Sequence, residues 1–449
     1  MQTTRRRFLG ALTAASYARV AGANDRVQIG FIGYGLIGKQ HVSDFRKLAD
    51  VDCAAVAEVH SGRLDEGASA CGAGAKTYRD FRRLLENKDI QGVVVSTPDH
   101  WHCAMTILAC AAGKDVYVEK PLTVFIREGR WMKQAARRYK RVVQAGTQQR
   151  SGAHYVKALE LLRGGYIGEI HSARIAVSRN VMPGFGDPPD SPAPSGLDYE
   201  MWLGPAPKRP YNPHRSIYHF RWFWDYSGGQ MTNLGAHEID IVQWCLNSKG
   251  PVSASSIGGR WSVRDNGETP DTQDAILLYD PKLSLQVSIR EAAVGRREGN
   301  GLEFFGTKGS MTLSRGAFQI YPDMRQPPEN LIPQMGGGHP IGGPVLTAEK
   351  PTPWIEAMRQ PATNDLLGTH ARNFVDCIKS RQRPAADVED GHRTAVACHL
   401  ANISLRLGGR TLRWDADREE ITGDREASEY LVREYRKPWD DVIRLATAV

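Results

Sequence analysis

From residue 26 to residue 145, short β-branched runs alternate with stretches whose apolar positions recur every three or four residues. The runs at 27–33, 52–58, 92–96, 115–119 and 142–145 predict strands, and the segments 36–48, 63–71, 80–86, 102–112 and 126–139 predict helices. Near-continuous apolar strands separated by helices imply a parallel sheet covered on both faces. After residue 150 the texture changes. A helix is predicted over 153–163, followed by a Pro-rich passage at 182–213, long enough to expect a functional loop. Six aromatics follow within nine residues: Tyr218, Phe220, Trp222, Phe223, Trp224 and Tyr226. In a strand they would alternate sides, half in the core and half lining a cleft.

Between 252 and 320 the alternating runs "VSASSIGGRWSV", "DAILLYD", "LSLQVSIREA", "LEFFGT" and "GSMTLSR" predict antiparallel strands of an open sheet, polar on one side. A Gly/Pro-rich stretch at 334–353 leads to helices over 368–380 and 391–407. The expected fold class is α/β: an N-terminal doubly wound parallel Rossmann sheet, then a C-terminal α+β domain with a large, mostly antiparallel open sheet. The expected divisions are 1–23, 24–150 and 151–449.

The 449 residues suffice for two or three domains without staples. The first division is a leader. Arg5, Arg6 and Arg7 precede a short, weakly apolar stretch that ends in the small residues Ala21, Gly22 and Ala23, a pattern resembling a twin-arginine export signal. The expected location is therefore the periplasm or another exported compartment. Losing Arg5, Arg6, Arg7 and Arg19 with the leader takes the formal charge from +8 to +4. No later Lys/Arg cluster has interleaved aromatics, so nucleic acid is not an expected partner. Nothing after the leader approaches 18 apolar residues, so no membrane span is expected. Seven cysteines without a C-x-x-C pair, mostly in apolar surroundings, suggest free thiols rather than a disulfide framework.

The chemistry begins at "IGFIGYGLIGKQH". Gly33, Gly35 and Gly38 form G-x-G-x-x-G between a predicted strand and a predicted helix: Gly33 for the turn, Gly35 for approach to a pyrophosphate, Gly38 for close packing. Leu36 and Ile37 stand at the helix N-terminus, where unpaired N–H groups favour an anion. Glu58 ends the second strand, placed to accept from both ribose hydroxyls, so NAD is favoured over NADP, with Arg63 nearby weakening that preference.

Two further segments carry a family resemblance: "STPDHWH" at 96–102, and "AGK" through "EKP" at 112–121. With the Gly loop they resemble the Gfo/Idh/MocA oxidoreductases, and "GTQQR", "WLGPAP", "FRWFWDYSGG" and the tail from 373 to 408 resemble their exported branch. The resemblance implies that Thr97, Pro98 and His102 line the nicotinamide half of the groove and that Glu119 helps seat the cofactor. It also implies that Lys120 reaches the reacting hydroxyl. The family's D-x-G-x-H pattern is matched by "NLGAH": His237 keeps its place, but Asn233 stands where Asp is expected. An amide can orient the imidazole but cannot supply charge. Asp240, Glu238 or Asp225 could compensate. Arg150, Arg221, Trp222, Trp224 and Asp225 are candidate sugar contacts, and His100, His102, His214, His219 and His237 show no metal-ligand spacing.

These features imply an NAD-dependent oxidoreductase of a sugar or sugar-derived polyol. Since free NAD is not expected outside the cytoplasm, it would hold its cofactor and recycle it in place. An NAD-dependent glycosidase or lyase acting through a transient 3-keto sugar is the alternative, and a non-catalytic saccharide-binding or assembly protein, kept open by Asn233, is a third. The resemblance also suggests a homo-oligomer, a dimer or tetramer formed through the C-terminal sheet.

Overall fold

Six parallel strands build the first sheet, in the order β3-β2-β1-β4-β5-β6: β1 Val27–Ile32, β2 Val51–Ala57, β3 Lys76–Tyr78, β4 Gly92–Val95, β5 Asp115–Val118 and β6 Val143–Ala145. This computed structural model describes residues 26–280, 283–293, 301–325, 334–335, 339–340 and 351–447. The leader and most of the Gly/Pro-rich stretch lie outside the described residues. Because β1 pairs with both β2 and β4, the winding reverses between β1 and β4 and leaves a crevice at their carboxyl ends. Every residue of β4, β5 and β6 is buried, which explains their unbroken apolar runs. The crossover helices are α1 Leu36–Arg46, α2 Ser61–Cys71, α3 Phe81–Glu86, α4 His102–Ala111 and α5 Ile126–Arg138. Strand β3 went unread because "KTY" is a three-residue edge strand with no buried residue.

Helix α6, Ala153–Arg163, leads into a ten-stranded second sheet. Its central strands are β7 Ile170–Ser178, β8 Ser253–Gly259, β9 Thr272–Tyr279 and β10 Leu283–Arg290, with β11 Gly301–Gly306, β12 Gly309–Leu313 and β13 Ala317–Pro322 beyond β7. Strand β7 was not anticipated, since its inward face offers only Ala173, Ile175 and Val177. It lies between β10 and β11 and is parallel to β10, the one parallel pairing among the described strands of a sheet that is otherwise antiparallel. In β9 and β10 buried residues alternate with outward-facing ones, leaving one face open.

The tail recrosses residue 150. Helix Leu366–Ser380 packs Ala371, Phe374 and Val375 against the first sheet, while helix Val388–Arg406 gives Val388 and Ala395 to that core and Val396, Ala397 and Leu400 to the second. All seven cysteines are free, five of them buried. The aromatic cluster is not a strand: His219–Trp222 form a 3₁₀ turn, and Phe220, Phe223 and Tyr226 join Trp202 and Leu203 in a small core of their own. The alternation expected for a strand therefore fails.

Buried imidazoles make stability pH-dependent. Burial pushes His100 down to about 3 and His370 and His399 to about 4, and it also lowers His237 and His392. These rings stay neutral in the fold while the unfolded chain takes up protons below about pH 6.5, so their contribution is complete above that pH and is lost on acidification. Burial also pushes up Asp99, Glu128, Glu291 and Glu238, the last to about 7, an effect of opposite sign above about pH 4.5. Between pH 6 and pH 5 the three rings held at about 3 and 4 outnumber Glu238, held at about 7. Unfolding free energy is expected to fall over that window by about 2 kcal/mol, measurable as lower urea midpoints; a midpoint that rises on acidification contradicts this balance.

Candidate active site

A groove of about 970 Å³ follows the carboxyl ends of β1 and β4. Gly33 has φ +90°, and a Cβ there would lie 2.9 Å from the Ser96 carbonyl oxygen. A Cβ on Gly38 would lie 2.3 Å from the Gly33 carbonyl oxygen, so only glycine lets α1 start against β1. At Gly35 the nearest atom to an added Cβ is Arg63 Nη1, 3.9 Å away, so a side chain would project into the groove. Helix α1 has no side-chain cap, which leaves the first-turn N–H groups of Leu36, Ile37 and Gly38 free for an anion. Leu36, 70% exposed, lines the same groove. Glu58 lines it too, fixed by accepting from the Tyr34 N–H at 2.8 Å and the His60 N–H at 3.0 Å. A carboxylate has about four acceptor positions, so two remain for ribose hydroxyls. These residues fit a nicotinamide dinucleotide.

Thr97 and Pro98 line the groove as expected. His102 and Glu119 do not. The ring nitrogens of His102 face the carbonyl oxygens of Pro121, at 2.7 Å, and Thr97, at 3.0 Å, making the buried imidazole a strut between the two motif loops. Glu119 is buried behind them, accepting from His41 Nε2 at 2.8 Å and from the Lys120 N–H at 3.1 Å. Burial opposes its charge, but His41 and Lys120 hold its carboxyl below the usual range. It supports the site through α1 and Lys120 rather than by touching the groove. The far wall comes from the Pro-rich passage, where the Trp202 carbonyl takes the indole N–H of Trp101 at 2.9 Å and faces His100 Nε2 at 3.0 Å.

Behind the groove lining, within the field of Arg221, which belongs to it, Lys120 Nζ donates to Asn233 Oδ1 at 2.8 Å. Asn233 closes α7, Gly229–Asn233, and His237 lies in the first turns of α8, Gly235–Leu246. Burial, then the charges of Lys120 and Arg315, keep His237 neutral, well below the ordinary imidazole range, and its Nδ1 is buried without a hydrogen-bond partner. Burial likewise lowers Lys120, with Glu119 and Asp99 opposing and Arg221 and Arg315 assisting. Asn233 is itself held: its Nδ2 donates to Gln230 Oε1 at 3.1 Å, and Gln230 Nε2 donates to Glu291 Oε1 at 2.8 Å.

Several expected contacts lie elsewhere. Arg150 and Asp240 face each other in a buried bidentate pair, Nε–Oδ2 2.8 Å and Nη2–Oδ1 2.9 Å, so neither is available to a sugar or a proton. Asp225 is held by Arg209 at 2.8 Å and Arg433 at 3.7 Å, and Trp224 lines a separate small cavity under Arg406. Trp222 is buried with its indole N–H on Glu291 Oε2 at 2.7 Å, leaving Arg221 as the candidate sugar contact that lines the groove. Of the carboxylates that could replace the missing Asp, Glu238 accepts from Gln149, at 3.2 and 3.3 Å, and not from Lys120 or His237. Asp99, Gln230 and Glu291 were not anticipated. Asp99 is visible only as a letter inside "STPDHWH", whereas the structure buries it under the Ser227 hydroxyl within reach of Lys120's field. Gln230 and Glu291 are 61 residues apart and meet only through the fold.

A six-stranded Rossmann sheet with a glycine-shaped dinucleotide groove, joined to an open-sheet domain that brings a lysine, an amide and an imidazole together, defines a nicotinamide-binding oxidoreductase. The family described as "Oxidoreductase family, NAD-binding Rossmann fold" matches residues 27–147, and its companion "C-terminal alpha/beta domain" matches 183–257 and 358–441. The chain belongs to the Gfo/Idh/MocA oxidoreductase family. It is 24% identical to myo-inositol 2-dehydrogenase of Thermotoga maritima over 384 residues, 84% of this chain and 96% of that one. A glycosyl hydrolase family 109 protein of a Shewanella species is 30% identical over 162 residues, 34% of this chain and 35% of that one. The solved structure of levoglucosan dehydrogenase in complex with NADH and levoglucosan superposes with a TM-score of 0.64 at 18% identity, covering 86% and 99% of the two chains.

Proposed function

We propose that this protein is an exported oxidoreductase that removes hydride from a CH–OH group of a sugar or sugar-derived polyol and retains its NAD from cycle to cycle. The observation that carries the reading is the hydrogen bond from Lys120 to Asn233, made in the charge fields that link Lys120 to His237 and to the groove residue Arg221. When bound, NAD supplies the hydride acceptor. Lys120 holds the substrate oxygen and stabilises the charge that develops on it, and neutral His237 accepts the hydroxyl proton. That Asn233 keeps Lys120 in place favours catalysis over mere saccharide binding.

The test is analysis of nucleotide released from freshly purified, unsupplemented protein, followed by products from candidate sugars. Stoichiometric NAD and a ketone or lactone product are expected. An empty protein with weak uptake of added NAD overturns cofactor retention. Release of an aglycone without net NADH change supports the glycosidase reading, which the Shewanella relative favours.

Glu58 favours NAD, because its carboxylate would repel a 2′-phosphate. Glu58→Ala is expected to weaken NAD binding by about 10–100-fold, the usual worth of hydrogen bonds to a charged group, measured by titration calorimetry on nucleotide-stripped protein. An unchanged dissociation constant would remove Glu58 from the site. Export rests on the arginine-led leader and is checked by cell fractionation with Arg5→Lys and Arg6→Lys variants. Self-association is assigned to the open sheet, where Ile257 and Ile276 are more than half exposed, and sedimentation equilibrium tests it.

A further inference from the structure

The amide at position 233 leaves Lys120 without the adjoining carboxylate its family pattern supplies, yet its Nζ is not left on a neutral, unconnected acceptor. Lys120 Nζ donates to Asn233 Oδ1 at 2.8 Å, Asn233 Nδ2 to Gln230 Oε1 at 3.1 Å, and Gln230 Nε2 to Glu291 Oε1 at 2.8 Å. The second Glu291 oxygen accepts from Trp222 Nε1 at 2.7 Å. Asn233, Gln230 and Glu291 are buried, with Gln230 1% and Glu291 0% exposed.

The ends of this chain fix its direction. An ammonium can only donate and a carboxylate can only accept, so both side-chain amides between them must point their oxygens toward Lys120 and their nitrogens toward Glu291. Both amide dipoles are thereby aligned head to tail, and hydrogen bonds in such a chain polarise one another in a low-dielectric interior. We propose that Glu291 is the hydrogen-bonded counter-charge of Lys120, its negative charge presented to Nζ through the amides of Gln230 and Asn233.

The nearer carboxylates act on Lys120 through their charge alone and make no hydrogen bond to Nζ: Glu119 spends its oxygens on His41 and on the Lys120 backbone N–H, and Asp99 accepts from Ser227 and is held toward its neutral form by burial. Arg221 and Arg315 oppose the Lys120 charge, and His237 beside it is neutral. Burial pushes Glu291 toward its neutral form as well, but unlike Asp99 it is joined to Lys120 by hydrogen bonds, and the Trp222 and Gln230 donors, Arg179 at 3.8 Å and the charge of Arg260 hold it toward the anion. Glu291 is thus a positioning residue: it touches neither groove nor substrate, and acts by keeping Lys120 charged with Nζ in line.

The test reads Lys120 itself. Trace acetylation with acetic anhydride across a pH series, quantified by mass spectrometry of the Lys120 peptide, gives the midpoint at which this amine loses its proton. The inference rests on the assignment of Lys120 to the site, but the labelling needs no turnover, so its outcome is independent of whether any sugar is oxidised. Glu291→Gln is expected to move the midpoint down by about 0.5–1 pH unit, the size of one charge acting across two amides at an effective dielectric constant near 20. Adding Asn233→Asp in that background is expected to raise it to the wild-type value or above, because Gln230 can then reverse and donate to Asp while accepting from the new amide at 291. Gln230→Met, which interrupts the chain and leaves Glu291 with Trp222, is expected to lower the midpoint as Glu291→Gln does, and serves if the first variant does not fold. An unshifted midpoint in a folded Glu291→Gln or Gln230→Met protein, or no recovery in the double variant, overturns the proposal.

Discussion

Lys120→Met is expected to lower kcat by about 10³-fold or more while leaving the fold and the proposed NAD retention intact. The size follows from two roles meeting in one atom. In the proposed reaction Nζ is the donor beside the reacting oxygen, and removing one donor of this kind costs about 10²–10³-fold. Its charge also helps keep the neighbouring imidazole neutral, the form that can accept the hydroxyl proton in the proposed reaction, and loss of positioned proton transfer costs about 10²–10⁴-fold. The two overlap, so they do not multiply. Methionine keeps the length and the apolar stem, so the burial around Lys120 is retained. What it cannot do is donate to Asn233 Oδ1, 2.8 Å away. Retention is expected to survive because Gly33, Gly35, Glu58 and Thr97 line the groove and Lys120 does not. The check is single-turnover absorbance of bound NADH on mixing with the sugar identified by product analysis. A decrease smaller than tenfold would move the chemistry to another residue.

The first sheet and its groove were readable because the signals were local. The spacing of Gly33, Gly35 and Gly38 demands a turn, a close approach and a tight packing contact within six residues, and the structure places each demand on the glycine that answers it. Strand and helix bounds there shift by two residues or fewer at most ends, as caps do; the Asp80 side chain accepting from the Arg82 N–H accounts for one such end. The second half was legible in outline only. Strand β7 carries three small or branched inward residues and sits in the middle of a sheet whose other strands come much later in sequence, so nothing local marks it. The aromatic run misled because six aromatics in nine positions fit a strand by propensity, while tertiary packing against Trp202 and Leu203 took three of them, Phe220, Phe223 and Tyr226, inward in a 3₁₀ and irregular path.

Site residues divide the same way. Motif positions at strand ends could be placed, yet motif membership did not say which side chains face the groove. His102 and Glu119 belong to the motifs and serve as buried struts. Gln230 and Glu291 belong to none of the motifs that mark the site and complete the chain to Lys120, because contact between residues so far apart along the sequence is a property of the fold.

Asp240 presents the sharpest contrast between a sequence expectation and a packed structure. One turn beyond His237, it had the right type and spacing to be the missing catalytic carboxylate. It is fully buried, it takes both Arg150 Nε and Nη2, and it also accepts from the Thr394 hydroxyl at 2.9 Å. Arg150 in turn has Asp390 at 3.5 Å and the Trp244 ring at 5.3 Å, so the pair joins α8 to helix Val388–Arg406 and to the 3₁₀ turn Gln148–Ser151. Asp240→Ala leaves that guanidinium charged, buried and short of its bidentate partner, and such a loss is worth about 3–5 kcal/mol. The expected result is a drop of that size in unfolding free energy from urea titration, with turnover per folded molecule reduced far less than by Lys120→Met. The matched change, Arg150→Met with Asp240→Leu, removes both charges and is expected to recover most of the stability, since well-packed apolar replacements of a buried pair are often neutral. A catalytic Asp240 would behave in the opposite manner. Its alanine variant would keep its urea midpoint and lose kcat, and the double variant would stay inactive however stable it became.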